Sequence, residues 1–557
     1  MKLPNIWSQG QLFAFSALDG ESYASDDFTG TLLGDKIGIR FYSGVRRELV
    51  IINKSRLPYK FRAVTSDYIS ISYGEEAYCD IVYAKRHLII GKTRGVSPMV
   101  FVEGECETTY SDNVLIQDTK DGEFTAFYND NGLFVFAYGK SIPCVLEKIA
   151  FAKSLNVQTE IEKKLSFWDK YGKADSPLYN KCLSTMKTQL YSPEGFFKGI
   201  WSTPDRLPHK WLWLWDSVFH AVGFRNFDAD LAETLILNLF DIQEDSGFIP
   251  HRATSTARSS ITQPPVIAWG AYKVYEKSGN KDFLKTVFEN NKKFLEWCRQ
   301  NRKITDKELY TWNTQSDVNC RCDESGMDNS PRFDVAKRLF AIDFSCFMAN
   351  ETKYMKKIAE QISLCDEAEY FSAWNDNIVN NINETLWCEE DGFYYDFIIE
   401  DNKFNTVASV ASFLPLFADV CTKERAERLL CELKNPETFY TEFPIPSISK
   451  KDATFGSDMW RGPVWINYNY MIYEGLKSYG YEEFAGEIRE KTITVLENWY
   501  EKKGTLFEYY DSQNLTPPEE LNRKGKPLFP YDFTVKYQTV REYGWSNALL
   551  LDLLHNR

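Results

Sequence analysis

The sequence is poor in positive charge and in long apolar runs. Its 557 residues contain 65 Lys and Arg against 79 Asp and Glu, which gives a formal net charge of −14. Nucleic acids and anionic membrane surfaces bind through clustered Lys and Arg, so this balance argues against both as partners. The longest apolar stretch, from Val407 to Ala418, is too short to span a bilayer. Met1 to Trp7 contains no apolar signal core, so we expect a soluble protein.

The twelve cysteines show no pairing pattern. Only Cys320 and Cys322 lie close in sequence, and a C-x-C pair alone lacks the second pair of ligands that a zinc site requires. Free thiols in a reducing compartment are the simpler interpretation, and a metal site or a disulfide framework is the alternative. We therefore predict a cytoplasmic protein.

The pattern of the sequence changes near residue 150. Between about Gly30 and Lys140, apolar and polar residues alternate in short runs such as Tyr68 to Tyr73, and turns rich in Gly, Asn and Asp separate them. This period of two predicts antiparallel strands in a β-sandwich. Beyond Phe151, apolar residues recur three and four positions apart in about a dozen segments, which predicts paired helices that close into a toroid. The length also favours two domains, which we place at 1–150 and 151–557.

Tryptophan is concentrated in the predicted helical part. Only Trp7 of the 15 tryptophans lies before residue 150. Three others, Trp215, Trp460 and Trp545, lie directly beside Asp, Arg or Ser, and Trp465 lies five positions after Trp460 and two before Asn467. Taken singly, each is a normal core residue. Together they are typical of a sugar pocket, because indole faces stack on sugar rings while neighbouring polar groups bind hydroxyls.

Two carboxylates in aromatic surroundings are the candidate catalytic residues. Asp328 follows Gly326 and precedes a helix predicted to begin near Phe333, where it is also a candidate N-cap. Met327, Trp312 and Phe333 are its candidate apolar walls, and desolvation by such walls raises a carboxyl pKa. Glu508 lies between Phe507 and Tyr509, and its simpler interpretation is an outward charge on a short strand.

Other polar residues accompany aromatic or Pro-rich segments. Asp216 begins a predicted helix and can both cap it and accept from two sugar hydroxyls. His251 follows Pro250 and Gln263 precedes Pro264, so rigid loops present both side chains, although His251 is equally a candidate core histidine. Arg461 follows Trp460 and can contact substrate or pair with a structural carboxylate.

These motifs together resemble glycoside hydrolase family 63, in particular its mannosylglycerate-hydrolase-like and α-glucosidase members, and more distantly the trehalases. The resemblance spans about residues 175 to 557. It implies an (α/α)6 barrel and anomer-inverting hydrolysis of α-glycosides without a cofactor. By the same resemblance, the general acid is Asp328 and the general base is Glu508. The residues it places in sugar binding, with the aromatic neighbours of the motifs, are Trp215, Asp216, His251, Gln263, Trp312, Trp460, Arg461, Trp465, Tyr509 and Trp545.

Three functional hypotheses follow. The first is an inverting, exo-acting α-glycosidase on an α-glucoside or small oligosaccharide, whose two carboxyl groups lie roughly 6.5–9.5 Å apart to leave room for a water. The second keeps the toroid but takes a mannoside or rhamnoside. The third is a non-catalytic carbohydrate-binding protein that uses the same aromatic loops. The sequence departs from the trehalase signature at Asp458 to Pro463, which argues against trehalose as substrate.

Overall fold

The computed structural model of the chain describes residues 11–33, 37–43, 47–173, 176–317, 319–525, 531 and 538–556. Met1 to Trp7, considered above for a signal segment, lie outside the described residues. The chain divides into two compact units, Met1–Glu194 with Trp499–Leu506 and Gly195–Asn498 with Phe507–Arg557. None of the helices in the described ranges combines the length and the apolar character needed to cross a membrane.

The first unit contains two antiparallel sheets. Their strand orders are β1-β2-β3-β4-β9 and β10-β11-β12-β13-β8-β7-β6-β5. Phe41 and Leu49 of the first sheet share a buried core with Ile71, Ile81 and Phe136 of the second, so alternate residues of each strand face the partner sheet. The strands are β1 (Leu12–Phe13), β2 (Thr29–Leu32), β3 (Gly38–Tyr42), β4 (Arg47–Ile52), β5 (Tyr59–Val64), β6 (Tyr68–Tyr73), β7 (Ala77–Lys85), β8 (Leu88–Arg94), β9 (Ser97–Val102), β10 (Glu107–Ser111), β11 (Val114–Asp118), β12 (Phe124–Asp130) and β13 (Leu133–Gly139).

Three helices complete the first unit: α1 (Ile142–Lys153), α2 (Val157–Tyr171) and α3 (Pro177–Thr188). Val145 of α1 and Ile161 of α2 pack with Val135 of β13 on the other face of the larger sheet. The change of pattern near residue 150 therefore corresponds to the passage from strands to helices. The compact unit continues to Glu194, and the division into domains at residue 150 stays a prediction.

Four buried charges lie together inside the first unit. The Lys187 ammonium is 2.9 Å from Asp19 Oδ1 and 2.6 Å from Asp67 Oδ2, and the Lys164 ammonium is 2.9 Å and 3.6 Å from the same two oxygens. Burial alone would raise the pKa of Asp19, but the two lysines hold it below its usual range. This ionic quartet joins two loops of the β region to α2 and α3.

The remaining helices belong to the second unit, except that the helix beginning at Glu482 ends in residues 499–503, which belong to the first unit. They are α4 (Leu214–Phe224), α5 (Ala229–Asp241), α6 (Ile267–Ser278), α7 (Lys281–Arg302), α8 (Ile342–Gln361), α9 (Cys365–Thr385), α10 (Leu414–Phe417), α11 (Lys423–Leu433), α12 (Ile466–Ser478), α13 (Glu482–Lys503) and α14 (Gly544–His555). Six of them form a closed ring of contacts in the order α4, α6, α8, α10, α12, α14 and back to α4. Gly475 and Gly223 permit close approaches in this ring, because a Cβ would lie 2.6 Å from the backbone of Phe417 at the first and 2.8 Å from that of Ala548 at the second.

Short strands lie between the helices: β14 (Leu190–Tyr191), β15 (Trp201–Ser202), β16 (Leu212–Trp213), β17 (Arg252–Ala253), β18 (Leu339–Phe340), β19 (Trp387–Cys388), β20 (Phe393–Tyr394), β21 (Asp396–Ile398) and β22 (Lys403–Asn405). The prediction of a helix that begins near Phe333 is wrong. A single 3-10 turn, Pro331–Phe333, occupies that position, and α8 begins only at Ile342 because β18 intervenes.

Candidate active site

One cavity of about 600 Å³ in the second unit brings the two candidate carboxylates together. Both Asp328 and Glu508 line it, although 180 positions separate them in sequence. Six of the predicted sugar-binding residues line the same cavity: Trp215, Asp216, His251, Gln263, Trp465 and Trp545. The cavity is therefore walled by indoles, and charged and polar side chains make up most of the rest of its lining.

Asp328 lies in a loop that packs closely on the cavity wall. Gly326 has φ 71°, and a Cβ there would lie 2.5 Å from the Trp215 indole, so the loop requires glycine at this position. The Asp328 side chain is 17 % exposed, and its Oδ2 lies 2.7 Å from the Lys524 ammonium. Burial raises the pKa of Asp328, while Lys524 opposes that rise. The following 3-10 turn has Ser330 as its N-cap, so Asp328 is not the capping residue.

Glu508 is held by backbone pairing and by an arginine. Its N–H donates to the carbonyl of Val540 at 3.0 Å. The residue is 2 % exposed, and its carboxylate forms an ion pair with Arg523. The interpretation of Glu508 as an outward charge on a strand is therefore wrong, because its segment turns the carboxylate into the cavity.

Asp216 has an incomplete set of partners. It lies in the first turn of α4, and its Oδ1 has no hydrogen-bond partner among the described residues. Burial, and next the negative charge of Glu508, raise its pKa well above the usual range. Beside it, the Trp215 ring meets the Trp545 ring edge-on with centroids 5.4 Å apart, and the backbone N–H of Trp215 donates to Gln263 Oε1 at 3.4 Å. A buried acceptor beside indoles that line a cavity suits a sugar hydroxyl.

Two histidines lie at the cavity wall with fixed ring orientations. His251 Nδ1 is 2.6 Å from the hydroxyl of Ser259. His209 Nδ1 is 2.6 Å from Asp205 Oδ2, and a carboxylate at that distance holds a proton on Nδ1. His251 thus lines the cavity rather than the interior of the core.

Four predicted binding residues are not among those that line the cavity. The Trp312 indole stacks on Phe344 at 3.8 Å and donates to Asp343, while Trp460 stacks on Trp465 at 3.8 Å. The Tyr509 hydroxyl donates to the carbonyl of Asn522 at 2.7 Å. Each of these three uses a ring face or a polar atom in a contact within the protein, and their part in sugar binding stays a prediction.

Arg461 is the fourth residue outside the cavity lining. Its guanidinium donates to the carbonyl of Asn329 at 2.9 Å and to Asp334 at 2.8 Å. The pairing with a structural carboxylate, which the sequence left open, is the one that the structure shows. Arg461 thereby fixes the loop that presents Asp328.

Several cationic residues at the site are absent from the residues predicted from the sequence. Arg523 and Lys524 are consecutive, yet each forms an ion pair with a different candidate catalytic carboxylate. Arg252 and Arg258 also line the cavity, as does Tyr543. The proximity of Arg252 to His251 was the available signal, but a short charged segment is usually solvated and carries no evidence of its orientation.

Asp328 and two neighbouring donors form a cluster with the composition of a metal site. Cys320, Asp323 and Asp328 place ligand atoms within 4.8 Å of one another. The Lys524 ammonium lies 2.9 Å from Cys320 Sγ and 3.6 Å from Asp323 Oδ1. A cation of the protein already supplies positive charge at this cluster, so a metal ion would have to displace it. All twelve cysteines are free thiols.

Comparisons with known proteins identify the class of this chain as a glycoside hydrolase, and so as an enzyme. A family model described as the mannosylglycerate hydrolase MGH1-like glycoside hydrolase domain matches residues 209–546, which is more than half of the chain. The chain belongs to this family. The match covers the cavity and both candidate carboxylates, and it confirms the resemblance to glycoside hydrolase family 63.

The chain is similar to two relatives over different shares of their lengths. A mannosylglycerate hydrolase of Rubrobacter radiotolerans is 23 % identical over 63 % of this chain and 92 % of its own. An uncharacterized protein of Borreliella burgdorferi is 26 % identical over 49 % of this chain, and the match spans only 57 % of that relative.

Solved structures show the fold. The mannosylglycerate hydrolase of Thermus thermophilus in complex with Tris has a TM-score of 0.56 and 23 % identity, covering 68 % of this chain and 99 % of that one. A bacterial glucoamylase complexed with acarbose has a TM-score of 0.61 and 12 % identity over 100 % of this chain and 95 % of its own. The first leaves about a third of this chain without a counterpart, whereas the second covers the β region as well.

Proposed function

We propose that this protein is an inverting, exo-acting α-glycosidase whose general acid is Asp328 and whose general base is Glu508. The observation that carries the proposal is that both carboxylates line one indole-walled cavity while their surroundings differ. Burial raises the pKa of Asp328, which suits a proton donor, whereas the Glu508 carboxylate forms an ion pair with the Arg523 guanidinium. The closed ring of six helices, with α5, α7 and α9 packed against its members, supports an (α/α)6 toroid as the scaffold.

The proposed reaction needs only these two carboxyl groups and water. Asp328 donates its proton to the glycosidic oxygen as the bond from that oxygen to the anomeric carbon breaks. Glu508 takes a proton from a water that attacks the same carbon from the opposite face, so an α-glycoside yields a β-sugar. Lys524 must move away from Asp328 or share its hydrogen bond before the carboxyl can hold that proton, because the ammonium stabilises the ionised form.

The sugar that is cleaved is proposed to bind between Trp215, Asp216 and Trp545. The unpartnered Asp216 Oδ1 supplies an acceptor for a hydroxyl, and the Trp545 indole N–H, which also has no partner among the described residues, supplies a donor. Filling both with hydroxyl groups would remove the cost of leaving buried polar atoms unpaired. An α-glucoside or a small oligosaccharide remains the favoured substrate.

A second candidate is an α-mannoside or α-glucoside whose aglycone carries a carboxylate. Arg252 stacks over Trp211 at 4.4 Å at the cavity wall, its Nε has no partner, and no carboxylate lies within ion-pair distance among the described residues. An arginine in this state suits bidentate binding of a carboxylate. The mannosylglycerate hydrolases among the relatives act on a substrate of this kind by name, which supports the candidate.

The test is a panel of substrates. Purified protein is incubated with 4-nitrophenyl α-glucoside, α-mannoside and α-rhamnoside, with maltose and with mannosylglycerate, and released sugar is measured. Turnover of the neutral α-glucosides, unaffected by Arg252→Gln, supports the first candidate. Turnover of mannosylglycerate that falls at least tenfold in Arg252→Gln supports the second. Turnover that persists in Asp328→Asn would refute the assignment of the general acid.

It stays a prediction that the protein is cytoplasmic, that it binds neither nucleic acid nor membranes, and that its activity requires no cofactor. The sequence supports these predictions through its negative charge and unpaired cysteines.

A further inference from the structure

A second cavity, of about 570 Å³, lies entirely within the first unit. Its walls come from the loop after β1, the turn between β7 and β8, and the helices α1 and α2. Five cationic side chains line it against three carboxylates, in a chain whose overall charge is strongly negative. The cations are Lys85, Arg86, Lys148, Lys163 and Lys164, and the carboxylates are Asp19, Glu21 and Glu160.

Most of these carboxylates already have partners. Asp19 belongs to the ionic quartet and is bonded to Lys164, and Glu160 pairs with Lys163 at 2.6 Å. Lys85 and Lys148 differ from Lys163 and Lys164, because no carboxylate of the described residues lies within ion-pair distance of either ammonium. The Lys85 ammonium lies 3.9 Å from the centre of the Phe151 ring, and Arg86 is 3.9 Å from Asp26. The cavity therefore has positive charge that the protein itself does not balance.

Lys148 and His87 are fixed in the wall of this cavity. His87 has φ 64°, an uncommon conformation for a non-glycine residue, and its Nε2 lies 2.8 Å from the carbonyl of Asp26. The Nε2–H therefore donates to that carbonyl, which leaves Nδ1 as an acceptor 3.4 Å from the Lys148 ammonium. Lys148 also donates to the carbonyl of Tyr138 at 2.7 Å. Burial lowers the pKa of both His87 and Lys148.

The rest of the lining is apolar and partly aromatic. Phe15, Leu18, Phe151 and Leu155 form it, and Phe151 is 39 % exposed. Lysines bind phosphate as point charges, and two ammonium groups without carboxylate partners match a dianion better than a single carboxylate. Aromatic and aliphatic walls beside the charges suit the carbon skeleton of a sugar. The volume is within the range of small-ligand sites.

We propose that the first unit contains a binding site for a phosphorylated monosaccharide, with the phosphate between Lys85 and Lys148 and the sugar against Phe15 and Phe151. This site is separate in residues from the hydrolytic cavity and does not depend on the function proposed for it.

The test is isothermal titration calorimetry at low ionic strength with glucose 6-phosphate as the probe. Inorganic phosphate and glucose are titrated separately. Saturable binding of one equivalent of glucose 6-phosphate is expected, with affinity about tenfold lower in Lys85→Gln and in Lys148→Gln, since each removes a charge-assisted hydrogen bond. Inorganic phosphate is expected to bind more weakly, and glucose not to bind.

Two matched controls make the result specific. Lys92→Gln removes an exposed lysine of β8 outside the cavity lining, and Arg252→Gln removes a cation of the hydrolytic cavity. Both are expected to bind glucose 6-phosphate as the native protein does. Lys85 is exposed, so its replacement leaves folding intact even if Lys148→Gln lowers the melting temperature. Absence of saturable binding at millimolar probe, loss of binding in Arg252→Gln alone, or equal affinity for inorganic phosphate would overturn the proposal.

Discussion

The ionic quartet of the first unit and the hydrolytic cavity of the second bury charge in opposite ways. In the first unit, the ammonium groups of Lys164 and Lys187 lie within 4 Å of both Asp19 and Asp67, so two positive charges balance two negative ones. In the second unit, the hydrolytic cavity buries Asp216 with a free Oδ1 and Arg252 with a free Nε among the described residues. Every charge of the quartet has an oppositely charged partner, whereas the cavity contains buried polar atoms that have no hydrogen-bond partner among the described residues.

The difference separates structural polar groups from functional ones. The attraction between buried opposite charges offsets the free-energy cost of their desolvation only when every partner is present. The quartet therefore stabilises the packing of α2 and α3 on the β region. Buried polar atoms without a partner destabilise the fold until a ligand forms hydrogen bonds with them. Such atoms are therefore found at binding sites. Replacing a member of the quartet should therefore lower the free energy of unfolding, whereas replacing a polar residue of the hydrolytic cavity should lower the rate of turnover.

The largest effect is expected from the two candidate catalytic carboxylates. Asp328→Asn and Glu508→Gln are each expected to lower kcat by about 10³-fold or more, because each removes a proton transfer from the rate-limiting step. Initial rates on the best substrate of the panel measure this, and urea unfolding of the same variants verifies that the fold is retained. Retention of more than a tenth of the native kcat in either variant would contradict its assigned role.

The quartet should show the reverse behaviour. Asp67→Asn leaves two buried ammonium groups facing one carboxylate, and we expect it to lower the free energy of unfolding by about 3–5 kcal/mol while the kcat of the folded enzyme is unchanged. Urea unfolding measures the loss, with the exposed Glu21→Gln as control. A shift below about 1 kcal/mol, the range of surface pairs, would mean that the quartet is not structural.

Replacement of Asp216 tests whether the unpartnered polar atoms of the cavity serve substrate binding at the expense of stability. Because burial and Glu508 raise its pKa in the folded state, folding disfavours the charged form, and the resulting cost begins above the unfolded pKa and is complete above the folded pKa. Asp216→Asn should therefore unfold at an equal or higher urea concentration at pH 7 while kcat/KM falls by about 10–100-fold, as expected when a charged hydrogen bond to substrate is lost. A destabilised variant with native kcat/KM would reverse this interpretation.

The smallest effect is a displacement of the pH profile. The Lys524 ammonium favours ionised Asp328, so Lys524→Gln should raise the pKa of that carboxyl further. The alkaline limb of kcat/KM, which follows loss of the proton from the acid, should then move up by about one pH unit. Lys451→Gln, an exposed lysine, is the control. An unchanged limb in an active variant would show that Lys524 does not influence the acid.

Much of the architecture could be predicted from periodicity, and the reasons are local. Alternation in β4 and three-to-four spacing in α7 report which face of each element is buried, and the structure has a strand and a helix there. The helix expected near Phe333 failed because Pro331–Arg332–Phe333 satisfies its local hydrogen bonds with one 3-10 turn, and no periodic pattern distinguishes that turn from a first helical turn.

The site was predictable in its carboxylates and less so in their surroundings. The motifs around Asp328 and Glu508 named residues of the right chemistry, and those residues share a cavity. Which side of a loop faces the cavity depends on its backbone path, so Arg461 and Trp460 could not be distinguished from Arg523 and Trp465. Arg461 pairs with Asp334 outside the cavity lining, whereas Arg523 reaches Glu508 from a segment with no motif.

The central claim is that water attacks the anomeric carbon from the face opposite to the leaving oxygen, activated by Glu508 while Asp328 protonates that oxygen. Proton NMR of the first minutes of hydrolysis of an α-glycoside tests it most directly, because the anomeric signals of the released sugar appear before mutarotation mixes them. The account predicts the β-anomer first. Initial release of the α-anomer would contradict it.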